Sequence, residues 1–277
     1  MDTRTETPQD SCVCGVHPSV FYLLATLLFT SCSTAMLCAA IMTEHWEHVS
    51  WEHAALAALA NTSNTALQWL LDEKVVKIED KTSRRGGSTF LVPMNGGIWT
   101  MCVSLEEEEI SILHRAGFPK QPPCTNYLAD SDEDEPRADW QHRMQNLSIS
   151  CALVCLIVLG SAALVGFFGV CKHQISAVLV TGVMYLLAGL FAMFTLMIIH
   201  CKRIQRVSTR GSTHDDTADG VVGSRLPAIH LLSAREFSTS WSLELGWGGV
   251  VLATTTSLLW ILLSKIMRYN PISTMLL

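Results

Sequence analysis

The sequence predicts a membrane protein of the all-α class, a four-helix transmembrane bundle carrying a small extracellular antiparallel β-sheet. Three observations lead there. The apolar residues of the 277-residue chain gather into four long blocks and are not spread as in a soluble core. Between the first two blocks lies a long polar stretch in which short β-branched and aromatic runs alternate with turn residues. That stretch also holds an isolated pair of cysteines, Cys102 and Cys124.

The first block, 18–42, begins at Pro18 and reads FYLLATLLFTSCSTAMLCAAIM after its first three residues. The second covers 147–170, the third 175–199, and the fourth 241–266, whose apolar run starts near Leu243. Each offers roughly 20 apolar residues with almost no charge, enough for a helix to cross a ~30 Å hydrocarbon layer. In lipid the backbone is satisfied only in helices or closed barrels, and none of these runs alternates as a barrel strand does. A cleaved signal peptide is the alternative for the first block, against which stand its acidic leader and its length.

Four spans place both termini on one side. The segments left are a cytosolic N-terminus (1–17), an extracellular loop (43–146), a cytosolic turn (171–174), a second extracellular loop (200–240) and a cytosolic C-terminus (267–277). Basic residues do not settle the orientation. The presumed inside carries Arg4, Lys172, Lys265 and Arg268, whereas the second loop carries Lys202, Arg203, Arg206, Arg210, Arg225 and Arg235, which alone argue for the inverse. Two N-x-S/T sequons, at Asn61 and Asn146, favour loops outside and a plasma-membrane protein with cytosolic termini.

Of the ten cysteines, Cys32, Cys38, Cys151 and Cys155 fall within spans, where they pack as small apolar residues. Cys12, Cys14 and Cys171 lie on the cytosolic side beside the membrane and are palmitoylation candidates. In an oxidising compartment Cys102 and Cys124 read as one disulfide, or else as two unrelated thiols. Cys201 has no obvious partner.

Within the long loop, HAALAALANTSNTALQWLLDEKV reads as a surface helix broken near Asn61 to Asn64. Three strand-like runs follow, Val75 to Glu79, Ser88 to Pro93 and Gly97 to Ser104, separated by TSRRGG and MNGG turns; together they predict a small antiparallel sheet. Three short strands bury little alone, so Trp99 and Cys102 on the last of them read as anchors. The indole would lie at the membrane interface or against the helix tops.

These residues resemble a known family. Four spans, a large first loop with Trp46 (in TEHW), Gly97-Ile98-Trp99, Cys102 and Cys124, and a smaller second loop are similar to the claudin, peripheral myelin protein and voltage-dependent calcium channel γ-subunit superfamily. The likeness is nearest to the γ-subunit, stargazin-like branch. CKHQISAVLVTGVMYLLAGL looks like that branch's turn and third helix, and TSWSLELGW like its approach to the fourth. Ile98 stands where leucine is usual, the cysteine spacing is longer than in claudins, and Trp51 to Phe90 looks like an insertion. The resemblance implies a claudin-like fold and an auxiliary subunit that binds pore-forming channel or receptor subunits in the same bilayer and modulates gating or trafficking. The alternative it carries is a claudin-like adhesion or junction protein.

The long loop has 17 acidic and 9 basic residues, a net of −8 against −6 for the whole chain, so the acid excess is confined to it. Glu106, Glu107, Glu108 and Glu109, with Asp130, Asp132, Glu133, Asp134 and Glu135, are the candidate contacts for a cationic patch on a partner; the plain alternative is a solvated face. No calcium loop with its glycine is present. His45, His48 and His53 do not have the spacing of a complete metal set, and no nucleophile elbow or phosphate loop appears, so neither catalytic residue, cofactor nor metal is expected. Nucleic acid is not an expected partner. Glu244, between Trp241 and Trp247, reads as an interface residue, and Ala162, Gly166, Gly182 and Gly189 as close helix contacts. The terminal TMLL is a weak match to a PDZ ligand. The charged stretch from Lys202 to Arg225 reads as mobile.

Overall fold

The computed structural model describes residues 18–63, 65–79, 88–120, 122–127, 139–208, 219–223 and 229–269. In chain order these form α1 (Pro18–Met42), β1 (Glu47–Trp51), α2 (His53–Ser63), β2 (Leu67–Leu70), β3 (Val75–Glu79), β4 (Ser88–Leu91), β5 (Met94–Gly96), β6 (Thr100–Val103), α3 (Glu107–Arg115) and β7 (Cys124–Asn126). There follow α4 (Asp139–Cys171), α5 (Ile175–Ser208), β8 (Val221–Gly223), a 3-10 helix (Ile229–Ala234), β9 (Arg235–Thr239) and α6 (Trp241–Tyr269).

α1, α4, α5 and α6 are each long and apolar enough to cross a membrane. α1 lies on α6, α6 on α5 and α5 on α4, while α1 and α4 barely touch. With a hydrocarbon surround the hydrophobic effect does not drive these helices together, so close packing and polar contacts must. Both are present. A Cβ at Gly182 would stand 2.9 Å from Ile261 Cγ1 and 3.1 Å from the Ser257 carbonyl, so α5 and α6 meet backbone to backbone. Trp260 Nε1 donates to Thr30 Oγ1 (2.8 Å), the Thr34 and Tyr185 hydroxyls bond at 2.8 Å, and Tyr22 donates to the Leu259 carbonyl (3.0 Å).

The helices outrun the apolar runs at the end where the sheets sit. α4 starts at Asp139 and not Leu147, and α5 continues past Ile199 through Lys202 to Ser208. Gln145, Ser148 and Lys202 are all buried. Gln145 bonds the Ile98 carbonyl of the head and Lys202 bonds Gln145, so these turns face the head on one side. At the opposite end α4 closes in a Schellman motif. The Gln174 N–H donates to the Gly169 carbonyl and the His173 N–H to the Val170 carbonyl, with His173 in the left-handed region (φ 50°) usually given to glycine.

The head is larger than the single small sheet expected. Among the described residues there are two antiparallel sheets, one ordered β7-β6-β5-β1-β9 and the other β2-β3-β4-β8. The three strand-like runs do not share a sheet: β3 and β4 pair in the second, and β6 belongs to the first. Trp99 is also not on a strand but in the turn before β6. The second loop, part of which reads as mobile from composition, supplies β8 and β9. Both pair with strands far away in sequence, a contact that local composition cannot register.

The second sheet is buried on both faces, as the alternation along it requires. Val75, Phe90 and Val222 join a cluster with Val49, Met101 and Leu113, whereas Val76, Ile78 and Leu91 join Trp51, Leu56 and Leu231. The head is thus layered: first sheet, second sheet, then α2 with the 3-10 helix. α2 ends at Ser63, where the sequence places its break, but no helix resumes beyond it: Leu67–Leu70 is β2, paired with β3.

Candidate functional site

The feature that joins head to bundle is the turn Gly96–Thr100. α1 stops at Met42, and its last carbonyls have no partner inside the helix. At a membrane boundary such orphans are costly. Two tryptophans supply what is missing. Trp46 Nε1 donates to the Ala40 carbonyl (2.7 Å), and Trp99 Nε1 to the next one, that of Ile41 (2.7 Å). Thr43 closes the Ala39 carbonyl with its N–H (3.2 Å) and its hydroxyl (2.8 Å).

The turn is tied to its surroundings by a set of backbone and side-chain bonds. The Trp46 N–H donates to the Gly96 carbonyl (3.0 Å), the Gly97 N–H to Thr100 (2.8 Å), and the Tyr127 N–H to Trp99 (2.9 Å). Gln145 on α4 donates to the Ile98 carbonyl (2.6 Å), and Lys202 on α5 donates to the Gln145 amide oxygen (2.8 Å). The Lys202 ammonium also lies 5.9 Å from the Tyr127 ring centre. Only glycine fits at 97, because a Cβ there would sit 2.8 Å from Glu44 Cα. One five-residue turn therefore contacts α1, α4 and, through Gln145, α5.

Cys102 and Cys124 are bonded to each other and face one another in register on β6 and β7. The bond closes a sequence separation of 22 residues, worth about 3 kcal/mol by the loop-entropy relation. It ends a cross-strand row of Ser238, His48, Asn95, Cys102 and Cys124 spanning the whole first sheet. Glu44 Oε2 stands 2.9 Å from Cys102 Sγ. A disulfide sulfur has no proton, so this is a contact and not a hydrogen bond. For the same reason the one three-ligand cluster among the described residues, Glu44 with Cys102 and Cys124, offers no thiolate to a metal.

The acidic run divides. Glu106, Glu107 and Glu108 are exposed, while Glu109 is committed within the head. Its carboxylate accepts the Glu106 N–H (3.0 Å) at the start of α3 and pairs with Lys74 Nζ (2.6 Å). That hydrogen bond holds the Lys74 amine above its ordinary pKa, and the Lys74 and Glu106 bonds hold the Glu109 carboxyl below its own. On the other side of the same hairpin tip Glu73 approaches His53 at 3.3 Å. Between these clasps Leu71, Asp72 and Glu73 all have positive φ (55°, 51° and 67°), so the tip is strained and held from two sides.

The three neighbouring histidines diverge. His45 meets the Trp241 ring (5.5 Å between centres), His48 Nδ1 bonds Asn95 Oδ1 (2.7 Å), and His53 meets the Trp69 ring (4.7 Å). Glu244 is exposed in the first turn of α6 between the exposed Trp241 and Trp247. Cys171 is an exposed free thiol closing α4, and Cys201 another on α5. Asn61 is exposed in the last turn of α2, and Asn146 is exposed on α4 inside its apolar span. Asp130 to Glu135, Cys12, Cys14 and the terminal TMLL lie outside the described residues.

Sequence reasoning passes over Gln145, Lys202 and Arg235. Arg235, counted above as a loop charge, is 2% exposed; it donates to the Asp219 carbonyl (2.7 Å) and lies over Phe237 (5.0 Å). The only local signal for the first two is a polar side chain at the edge of an apolar run, which snorkelling explains equally well. No protein-family model matches the chain, and no curated protein matches it.

Proposed function

We propose that the protein is a multi-pass auxiliary subunit of the plasma membrane, claudin-like and nearest the calcium-channel γ-subunit branch. It sits beside a pore-forming channel or receptor subunit and alters that subunit's gating or trafficking. The head faces outside and both termini face the cytosol. The observation that carries the reading is the joint. A head stapled by a disulfide, whose turn bonds α1 and α4 and reaches α5 through Gln145, is coupled to the bundle. A contact made on the head then biases the helices, and the reverse, which is what a regulator of a partner's conformation requires.

Two surfaces suit such a partner. The apolar outer faces of the helices, with Phe21, Leu24, Ile157, Leu164, Phe167 and Leu258 well exposed, serve the lipid and a neighbouring helix alike. On the head, Glu106, Glu107 and Glu108 present three carboxylates from a fixed helix start to a cationic patch. The test is co-purification of the partner after substituting all three by lysine in the intact protein. Recovery should fall several-fold at low salt and the loss should shrink as salt rises. Unchanged recovery removes these acids from the interface.

A further inference from the structure

We infer that Asn61 carries an N-linked glycan and that Asn146, the second sequon, does not. Three placements lead there. Asn61 is exposed on α2, the head layer beyond the second sheet. The head it belongs to contains a disulfide, a bond that persists in the oxidising compartments where such glycans are attached. Asn146, by contrast, lies within the apolar span of α4, and Ser148, the hydroxyl residue of its sequon, is 1% exposed. A bulky hydrated sugar has room at the first site, whereas the second abuts the apolar run that begins at Leu147 and lies too close to the bilayer for a transferase to reach.

The donor is an oligosaccharide on a polyprenyl pyrophosphate. The bond from the sugar's anomeric carbon to the pyrophosphate oxygen breaks, and a bond from that carbon to Asn61 Nδ2 forms. The lipid pyrophosphate leaves with the electron pair, and the amide proton passes to base. No redox change is involved. Transfer occurs on the emerging chain, so the helical hydrogen bond of Thr62 to the Ala58 carbonyl in the final fold does not obstruct it. Once attached, the sugar covers the exposed Ala54, Ala57, Ala58 and Asn61 face of α2 and leaves partner contacts to other sides of the head. The inference rests on the outward-facing head of the proposed function, and not on whether the partner is a channel.

The test uses the full-length protein expressed in animal cells and treated, after denaturation, with peptide-N-glycosidase. The wild type should lose one step of apparent mass. Asn61→Gln and Ser63→Ala should run at the treated position and no longer shift, while Asn146→Gln and Ser63→Thr should behave as wild type. Absence of a shift in the wild type, two steps in the wild type, or a shift that survives Asn61→Gln and vanishes with Asn146→Gln would each overturn it.

Discussion

Trp46 and Trp99 donate their indole N–H groups to adjacent carbonyls, Ala40 and Ile41, in the last turn of the same helix. Residues 53 positions apart by number thereby finish a helix that cannot finish itself, and the head is fixed to the bundle where its backbone most needs partners.

Replacing either indole by phenylalanine keeps a ring and removes the donor. Trp99→Phe should destabilise by about 1–3 kcal/mol, the cost of leaving the Ile41 carbonyl unpaired, and Trp46→Phe by less, because the Thr43 hydroxyl also reaches the Ala40 carbonyl (3.2 Å). Thermal unfolding of the purified protein in detergent measures this. A melting temperature equal to that of the wild type would remove the capping role.

Lys202, Gln145 and the Ile98 carbonyl form a chain, so their substitutions should not add. Gln145→Leu takes one partner from a buried ammonium and removes the donor to Ile98, and should cost about 1–3 kcal/mol. Lys202→Met in the same background should recover part of that loss. Strict additivity in a double-mutant cycle of unfolding free energies would show that the two side chains act separately.

The Lys74–Glu109 clasp has a defined pH window. Glu109 has a lowered pKa in the folded state, so its contribution is whole above the ordinary value near ~4.3 and is lost as pH falls through the lowered one. Lys74 has a raised pKa, so its contribution is whole below ~10.4 and is lost as pH rises through the raised one. Between those limits the difference in hairpin hydrogen-exchange protection between wild type and Glu109→Gln should be constant. Below them it should shrink. A difference that persists unchanged once Glu109 is protonated excludes an ionic clasp.

His173 occupies a left-handed position where a Cβ is strained (φ 50°). His173→Gly should therefore stabilise the α4–α5 hairpin by about 1 kcal/mol, read as a raised melting temperature. A destabilised variant would mean that the imidazole makes a contact worth more than the strain.

What could be read from the chain follows from where each signal resides. The spans were legible because hydropathy is local and a bilayer demands about 20 apolar residues in a row. The Cys102–Cys124 bond was legible because the pair is isolated in its loop. β9 was not, since REFST pairs with β1 about two thirds of the chain away and carries a buried arginine where a strand pattern would have an apolar residue. Lys202 was misplaced for a related reason. Charge marks it as solvated, yet Gln145 and Tyr127 converge on it only once α4, α5 and the turn are assembled. The acidic run told its composition but not its division, because Glu109 is set apart by Lys74 from another strand's end.

The most direct measurement is affinity purification of the tagged, full-length protein from its native membrane in mild detergent, with every co-purifying chain identified. A regulator built as described should come out in defined ratio with a multi-span pore-forming subunit, and the Trp99→Phe protein, its head loosened, should recover less of it. Recovery of the chain alone, or only as polymers of itself bridging membranes, is incompatible with an auxiliary subunit and would hand the head to adhesion.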